Sequence, residues 1–171
     1  MGRGPVELET DTIDSPLGRI VVVTDARALC ALDFGDCGGR MRRSLARRYG
    51  EVLLRPARNP LGVSAKIRSY LAGRLGALDD IAVDPGGTAF ERSVWSALRR
   101  IPAGATRTYG QLAASIGRPT APRAVGRANG KNPVAIVIPC HRLIGGDAAL
   151  TGYGGGLPRK RWLLRHEGAL P

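Results

Sequence analysis

Residues 108–142, TYGQLAASIGRPTAPRAVGRANGKNPVAIVIPCHR, hold a helix, a turn, a second helix, an abrupt break and an apolar run that ends on a cysteine beside a histidine. Tyr109 to Ile116 has helical apolar spacing and stops at Gly117, and a second helix is predicted from about Ala121 to Asn129, entered through Thr120. Two short helices about a glycine-containing turn have the form of a helix-turn-helix, although many helical hairpins share it. The second helix alternates Arg with very small residues, which lets it lie close against another surface. That surface is either another helix or the wall of a DNA groove, with Arg123 and Arg127 available for phosphate or groove contacts. Asn132-Pro133 then breaks the helix, and Val134 to Ile138 is predicted as a strand leading to Cys140.

A thiol reacts as the thiolate, and a free pKa near 8.5 leaves only a few per cent ionised at neutral pH, so a base or a cation nearby is what makes a cysteine a nucleophile. Cys140 has His141 and Arg142 directly after it. Taken alone, the pair also fits a small buried hydrophobe next to an ordinary histidine. The rest of the chain decides between the two.

The 171 residues carry a formal charge of +12, unevenly distributed. Residues 1–85 have 13 Lys+Arg against 11 Asp+Glu, whereas residues 86–171 have 13 against 3, namely Glu91, Asp147 and Glu167. The candidate nucleophile therefore lies in the basic half, as it would if its substrate were attached to a phosphate backbone. Only Lys66, Lys131 and Lys160 are lysines, and that excess of Arg also fits a coding bias. The first residues lack an apolar signal core, Val6 stands where a myristoylation motif has Ser or Thr, and no run of about 18 apolar residues appears, so a cytoplasmic protein without a membrane partner is expected. Three cysteines cannot all pair within one chain, which suits a reducing compartment; Cys30 and Cys37 read as structural.

Leu8 to Ile13, Arg19 to Thr24 and Ala28 to Phe34 are β-prone runs separated by turn residues, predicting an antiparallel meander. Gly39 to Tyr49 is predicted as an Arg-rich helix with a solvated face, Glu51 to Leu54 as a strand, and Asn59-Pro60 as the start of a helix to about Ala72. Leu78 to Pro85 with Gly86-Gly87 reads as a linker between domains 1–85 and 86–171. Thr88 and Glu91 have capping-box spacing before a helix whose Phe90, Val94, Trp95, Leu98 and Ile101 predict a core face. Thr151 to Leu157 is a glycine-rich loop, either a simple linker or a place where backbone approaches a flat ligand. Pro158 to Glu167 is a helix anchored by Trp162, Leu163 and Leu164, with Glu167 at its electrically unfavourable C-terminal end.

In combination, Ile138-Pro139-Cys140-His141-Arg142, the preceding Thr108-Tyr109-Gly110-Gln111-Leu112-Ala113, Arg123-Ala124-Val125-Gly126 and Asn129-Gly130-Lys131-Asn132-Pro133, and the following Gly152-Tyr153-Gly154-Gly155-Gly156-Leu157 resemble the methylated-DNA:protein-cysteine methyltransferases, or O6-alkylguanine-DNA alkyltransferases. The resemblance covers roughly residues 88 to 168; residues 1–85 share with the family only length and element order. It implies an α+β protein with an N-terminal ribonuclease-H-like sheet domain and a C-terminal winged helix-turn-helix domain. It also implies repair of double-stranded DNA by irreversible transfer of the alkyl group of O6-alkylguanine, and of O4-alkylthymine, to a cysteine, with the base flipped out through the minor groove.

By the same resemblance, Cys140 is the acceptor and His141, through a water, its base, oriented by Glu167 in a triad-like arrangement. Tyr109 donates to guanine N3 as charge develops there, and Asn132 supports the turn between helix and site. Tyr109, Tyr153, Gly154, Gly155 and Leu143 belong to the base pocket. Arg123 is the finger that fills the vacated stack, with Ala124, Gly126, Arg127, Ala128 and Thr108 at the DNA surface. Pro122 and Glu91 depart from the residues common in relatives, and Pro is tolerated in a first helical turn. Cys30 and Cys37 have no histidine partners for the zinc some relatives carry, since His141 and His166 are the only histidines, so neither metal nor cofactor is expected. A monomer is expected, with cooperative binding on DNA left open. The competing readings are a lesion-binding relative without activity, a cysteine hydrolase and a winged-helix regulator. The first replaces the cysteine, the second gives the basic half no purpose, and the third does not explain residues 139–142.

Overall fold

The computed structural model describes residues 2–171, which divide into two compact units, the first ending at Gly86 and the second spanning Gly87–Pro171. Each unit has its own buried centre.

In the first unit, strands β1 (Val6–Ile13), β2 (Ile20–Thr24) and β3 (Leu29–Phe34) form the antiparallel meander, tightened at Ser15 to Gly18 by a turn whose Gly18 amide donates to the Ser15 carbonyl. Strand β4 (Val52–Pro56) joins the free side of β1 in parallel, giving the order β3-β2-β1-β4. The parallel pairing needs a crossover, and helix α1 (Gly38–Tyr49) is the crossover that brings the chain from β3 back to β1. Its Met41 and Leu45 pack on Leu8, Val23 and Ala31. Helix α2 (Val63–Leu71) covers the opposite face, to which the odd-numbered residue Asp11 points: its carboxylate accepts from the Ser64 hydroxyl at 2.6 Å and the Asn59 amide at 3.0 Å. Because both faces of the sheet are covered, β3 is buried along its whole length. Its Asp33 is held by a bidentate pair with Arg40 at 2.6 and 2.9 Å.

Two expectations change here. Asn59 does precede a helical turn that begins at Pro60, but that turn is a 3₁₀ segment broken from α2 by left-handed Leu61 and Gly62, and Asn59 is itself left-handed (φ 49°), its side chain accepting from the Ala65 amide inside the first turn of α2. The stretch before Gly86-Gly87 is more than a tether, since Val83 bridges Leu29, and Arg48 pairs with Asp84 at 2.8 Å. The segment thereby covers the outer edge of β3.

The second unit is mostly helical: α3 (Ala89–Arg99), α4 (Tyr109–Ser115), α5 (Pro122–Gly130) and α6 (Leu157–His166), with strands β5 (Arg107–Thr108) and β6 (Leu143–Ile144) joined as a two-residue parallel ladder. Capping boxes start both α3, where Thr88 and Glu91 exchange bonds of 3.1 Å, and α4, where Thr108 and Gln111 do the same. Trp95 and Leu98 are buried, while Phe90 and Trp162 are only half-buried; Trp162 stacks on His166 at 4.7 Å instead of entering the core.

Val134 to Ile138 forms no strand. All five side chains are buried, and the backbone closes on itself in tight turns (Val137 N to Ala135 O, 2.8 Å; Ile138 N to Val134 O, 3.0 Å), with Ile136 left-handed at φ 68°. Apolar residues on every side bury equally well in a strand or a coil, so periodicity could not distinguish them.

Gly87 enters α3 at φ 82°, and a Cβ there would lie 2.6 Å from Trp95 Cζ3. Gly87→Ala combines left-handed strain with overpacking against a buried ring, and is expected to cost about 2–4 kcal/mol in urea unfolding followed by tryptophan fluorescence. An unchanged midpoint would contradict this packing.

Candidate active site

Cys140 opens a 3₁₀ turn, Cys140–Arg142, placed by the preceding knot of apolar turns and 7% exposed. Asn132 fastens the approach from both ends: its Nδ2 donates to the Ile138 carbonyl at 2.8 Å and its Oδ1 accepts from the Val134 amide at 2.9 Å. The turn makes Cys140 and His141 neighbours in space as well as in sequence.

His141 is fully buried, and one ring nitrogen, Nε2, lies 2.8 Å from Glu167 Oε1. Glu167 caps the C-terminus of α6, where the helix dipole disfavours a carboxylate. Two side chains compensate for it. Arg142 donates to both carboxylate oxygens at 2.8 and 2.9 Å, and its remaining nitrogen donates to the Ile101 carbonyl at 2.5 Å. Burial alone would raise the Glu167 pKa, but hydrogen bonds from His141 and Arg142, reinforced by charge, hold it well below the ordinary carboxylate range. An ionised carboxylate only accepts, so Nε2 carries the proton. Burial, outweighing the pull of Glu167, depresses the His141 pKa, and the ring is neutral. Nδ1 is therefore an unprotonated basic nitrogen, buried and without a protein hydrogen-bond partner among the described residues.

Lys160, which sequence reasoning passed over, is completely buried in the same unit. Its Nζ donates to the carbonyls of Leu143 at 2.6 Å, Thr151 at 2.8 Å and Gly152 at 3.5 Å, tying the strand after the Cys140 turn to the glycine-rich loop. Desolvation lowers its pKa to about 8, opposed by the charge of Cys140. The signal was present in the sequence: Lys160, Leu163, Leu164 and Glu167 share the inner stripe of α6. Arg142, read earlier only as a cation beside the thiol, is instead the main partner of Glu167.

Tyr109 spans α5 and the glycine-rich loop. Its ring lies against Gly126, where an added Cβ would come within 3.5 Å, and its hydroxyl is 2.9 Å from Thr151 Oγ1. Gly154 and Gly155 follow the half-buried Tyr153 in a turn closed by the Gly156 amide on the Tyr153 carbonyl at 2.9 Å. On α5, Arg123 and Arg127 are exposed. Ala128 and Gly126, expected at the DNA surface, and Leu143, expected in the base pocket, make other contacts. Ala128 is 3% exposed and faces inward, its carbonyl accepting from Trp95 Nε1 at 2.9 Å; Gly126 packs on Tyr109; and Leu143 is fully buried, offering its carbonyl to Lys160 instead of a face to a base. Thr108 spends its hydroxyl on the α4 cap. The inner stripe of an amphipathic helix is as rich in small residues as a groove-facing one, which is why Ala128 was misassigned.

Comparison with known proteins gives a consistent result. Residues 89–169 match the DNA-binding domain family of 6-O-methylguanine DNA methyltransferase, and residues 10–85 match its ribonuclease-like domain family. The chain is 48% identical over 168 residues to a methylated-DNA:protein-cysteine methyltransferase of Salmonella typhimurium, covering 96% of this chain and 98% of that one. It is 42% identical over 156 residues to that of Methanosarcina acetivorans, covering 91% and 96%. The crystal structure of Mycobacterium tuberculosis OGT in complex with DNA superposes with a TM-score of 0.80 at 40% identity, covering 96% of this chain and 94% of the other.

Removing one partner of a buried, hydrogen-bonded charge cluster leaves the others uncompensated, so Glu167→Gln is expected to lower unfolding free energy by about 3–5 kcal/mol. The pH dependence follows from two depressed pKa values. The unfolded chain takes up a proton on histidine near 6.5 that folded His141 refuses, and near 4.5 it takes up a carboxylate proton that folded Glu167 refuses. Acidification therefore costs stability first below pH 6.5 and again below 4.5. The urea midpoint measured from pH 8 to 3 is expected to fall in that order, and the lower step to shrink in Glu167→Gln to what Asp11, Asp25 and the other carboxylates with lowered pKa contribute.

Proposed function

The chain belongs to the methylated-DNA:protein-cysteine methyltransferase family, DNA-binding enzymes that repair DNA by methyl transfer, and from that premise we propose that it moves the alkyl group of O6-alkylguanine in duplex DNA onto Cys140, once per molecule. What supports this reading is the burial of Cys140 and His141 in one short turn, with His141 Nε2 bonded to a Glu167 carboxylate that Arg142 also holds and with Nδ1 left without a hydrogen-bond partner among the described residues.

His141 Nδ1 takes the thiol proton through a bridging water, and Glu167 offsets the charge of the imidazolium that results. The thiolate attacks the alkyl carbon, a sulfur–carbon bond forms, and the carbon–O6 bond breaks with its electron pair left on the guanine. Tyr109 donates to N3 as negative charge spreads over that base, where a preplaced donor lowers the barrier. The Lys160 ammonium favours the thiolate by charge and holds the glycine-rich loop beside it. A thioether is a poor leaving group, and no side chain named here is placed to cleave it, so the transfer ends the life of the site.

Cys140, at 7% exposure, is out of reach of a base stacked in a duplex. The nucleotide must swing out, at an unstacking cost of roughly a few kcal/mol. We assign to the exposed Arg123, near the N-terminus of α5, the role of filling the vacated space from the minor groove, with Arg127 on the backbone and the surface of Ala124 against the groove. O4-alkylthymine, with a comparable alkyl ether beside a ring nitrogen, is a second substrate on the same chemistry. The protein acts as a monomer in a reducing cytoplasm, which keeps the working thiol free.

Mixing the protein with a duplex carrying one O6-methylguanine and recording its intact mass is expected to show a gain of one methyl group on the Cys140 peptide, saturating at about one per molecule. Binding without a mass change would reject the transfer. Cys140→Ser is expected to bind the duplex and gain nothing. Arg123→Ala is expected to slow repair of duplex at least tenfold more than reaction with free O6-benzylguanine, which needs no flipping; equal losses on both would remove the finger role.

A further inference from the structure

Asn129 is a polar residue in an apolar place. It lies on the inner stripe of α5 with Val125 and Ala128 and is 7% exposed. Its Nδ2 donates to the backbone carbonyl of Cys140 at 3.4 Å, while its Oδ1 is buried without a hydrogen-bond partner among the described residues. An orphaned acceptor in a core is costly, and a leucine would fill a similar volume without it. A side chain kept polar at such a position works against local stability, a conflict that concentrates at functional sites.

What the amide does is join two parts of the second unit that the reaction must coordinate. The exposed arginines of α5 sit on the far side of the same helix, and the carbonyl that Asn129 holds belongs to the nucleophile itself. The neighbouring attachments are of another kind: Trp95 fixes the Ala128 carbonyl to α3, and Asn132 fixes the Ile138 carbonyl, two residues before the cysteine. Asn129 runs from the helix to the Cys140 peptide itself. We propose that Asn129 is a positioning residue for the transfer step: its amide clips α5 to the Cys140 carbonyl, so that the helix seated on DNA also fixes the stance of the thiol. The inference rests on the reading of Cys140 as the alkyl acceptor. A displacement of about 1 Å in a reacting group is enough to slow an oriented reaction by tenfold or more.

The test is Asn129→Leu in the full chain. Its melting temperature is expected to equal or exceed that of the wild type, because the orphan acceptor is gone, and its Kd for an O6-methylguanine duplex to stay within twofold. The single-turnover rate constant for methyl appearance on Cys140, measured with DNA saturating, is expected to fall about tenfold. A purely structural role would give the opposite pattern, with lower stability and an unchanged saturating rate. A folded variant that transfers within twofold of the wild type overturns the proposal, as does a loss explained wholly by weaker binding. If the leucine variant does not fold, Asn129→Ala is judged by the same rate and Kd. The wild type run alongside separates the two levels: no methyl on its Cys140 removes the acceptor reading and this proposal with it, whereas transfer by the wild type and equally by the variant removes only this one.

Discussion

A single buried carboxylate organises the second unit. Glu167 lies at the end of α6, receives the imidazole from the turn after Cys140, and receives Arg142, whose third nitrogen reaches the carbonyl of Ile101 just beyond α3. The turn after Cys140 thus converges on the two oxygen atoms of the final helix, and Arg142 carries the connection on to Ile101. Ion pairs buried this deeply seldom stabilise a fold more than a well-packed apolar group would. What this one provides is definition: it fixes which histidine nitrogen has the proton, which way the ring faces, and where the turn stands relative to the final helix.

The other carboxylates of the second unit are committed elsewhere. Glu91 bonds the Thr88 amide at the head of α3, and Asp147 accepts from the Ala149 amide within its own loop. With all three acids occupied, the exposed guanidinium groups of Arg123 and Arg127 have no carboxylate partner in their unit among the described residues, and the positive field of that surface is left for an external polyanion. In the first unit, by contrast, 13 basic residues face 11 acidic ones, and pairs such as Arg40 with Asp33 and Arg48 with Asp84 secure crossover and edge.

Much of this was legible in the sequence, and the parts that were not share a cause. Local signals were reliable: Thr88 with Glu91 and Gly117 after α4 did what their spacing promised, because each is decided within a few residues, and the same local spacing at Thr108 and Gln111 makes a capping box that was not singled out. Cys140, His141 and Glu167 could be named as a set only through resemblance, since 26 residues separate the last two. Features decided by distant partners escaped detection. The parallel pairing of β4 depends on where α1 delivers the chain, and the tight turns at Val134 to Ile138 depend on Asn132 and on the left-handed backbone of Ile136. The inward turn of Ala128 depends on Trp95, and the burial of Lys160 on three carbonyl groups brought from two other segments.

The shallow exposure of Cys140 has a further consequence for the transfer proposed above, in which each thiol is used once. Dissolved oxidants and alkylating agents meet a sulfur through the fraction of its surface that solvent touches, and here that fraction is small. Cys30, the other deeply placed thiol, is shut inside the first unit, where burial raises its pKa and keeps it unreactive. Cys37 is the partly exposed thiol, and the chain has little to lose to solutes at the two deeper ones. Its irreplaceable group becomes available to an electrophile delivered into the pocket, and each molecule is conserved until a lesion arrives.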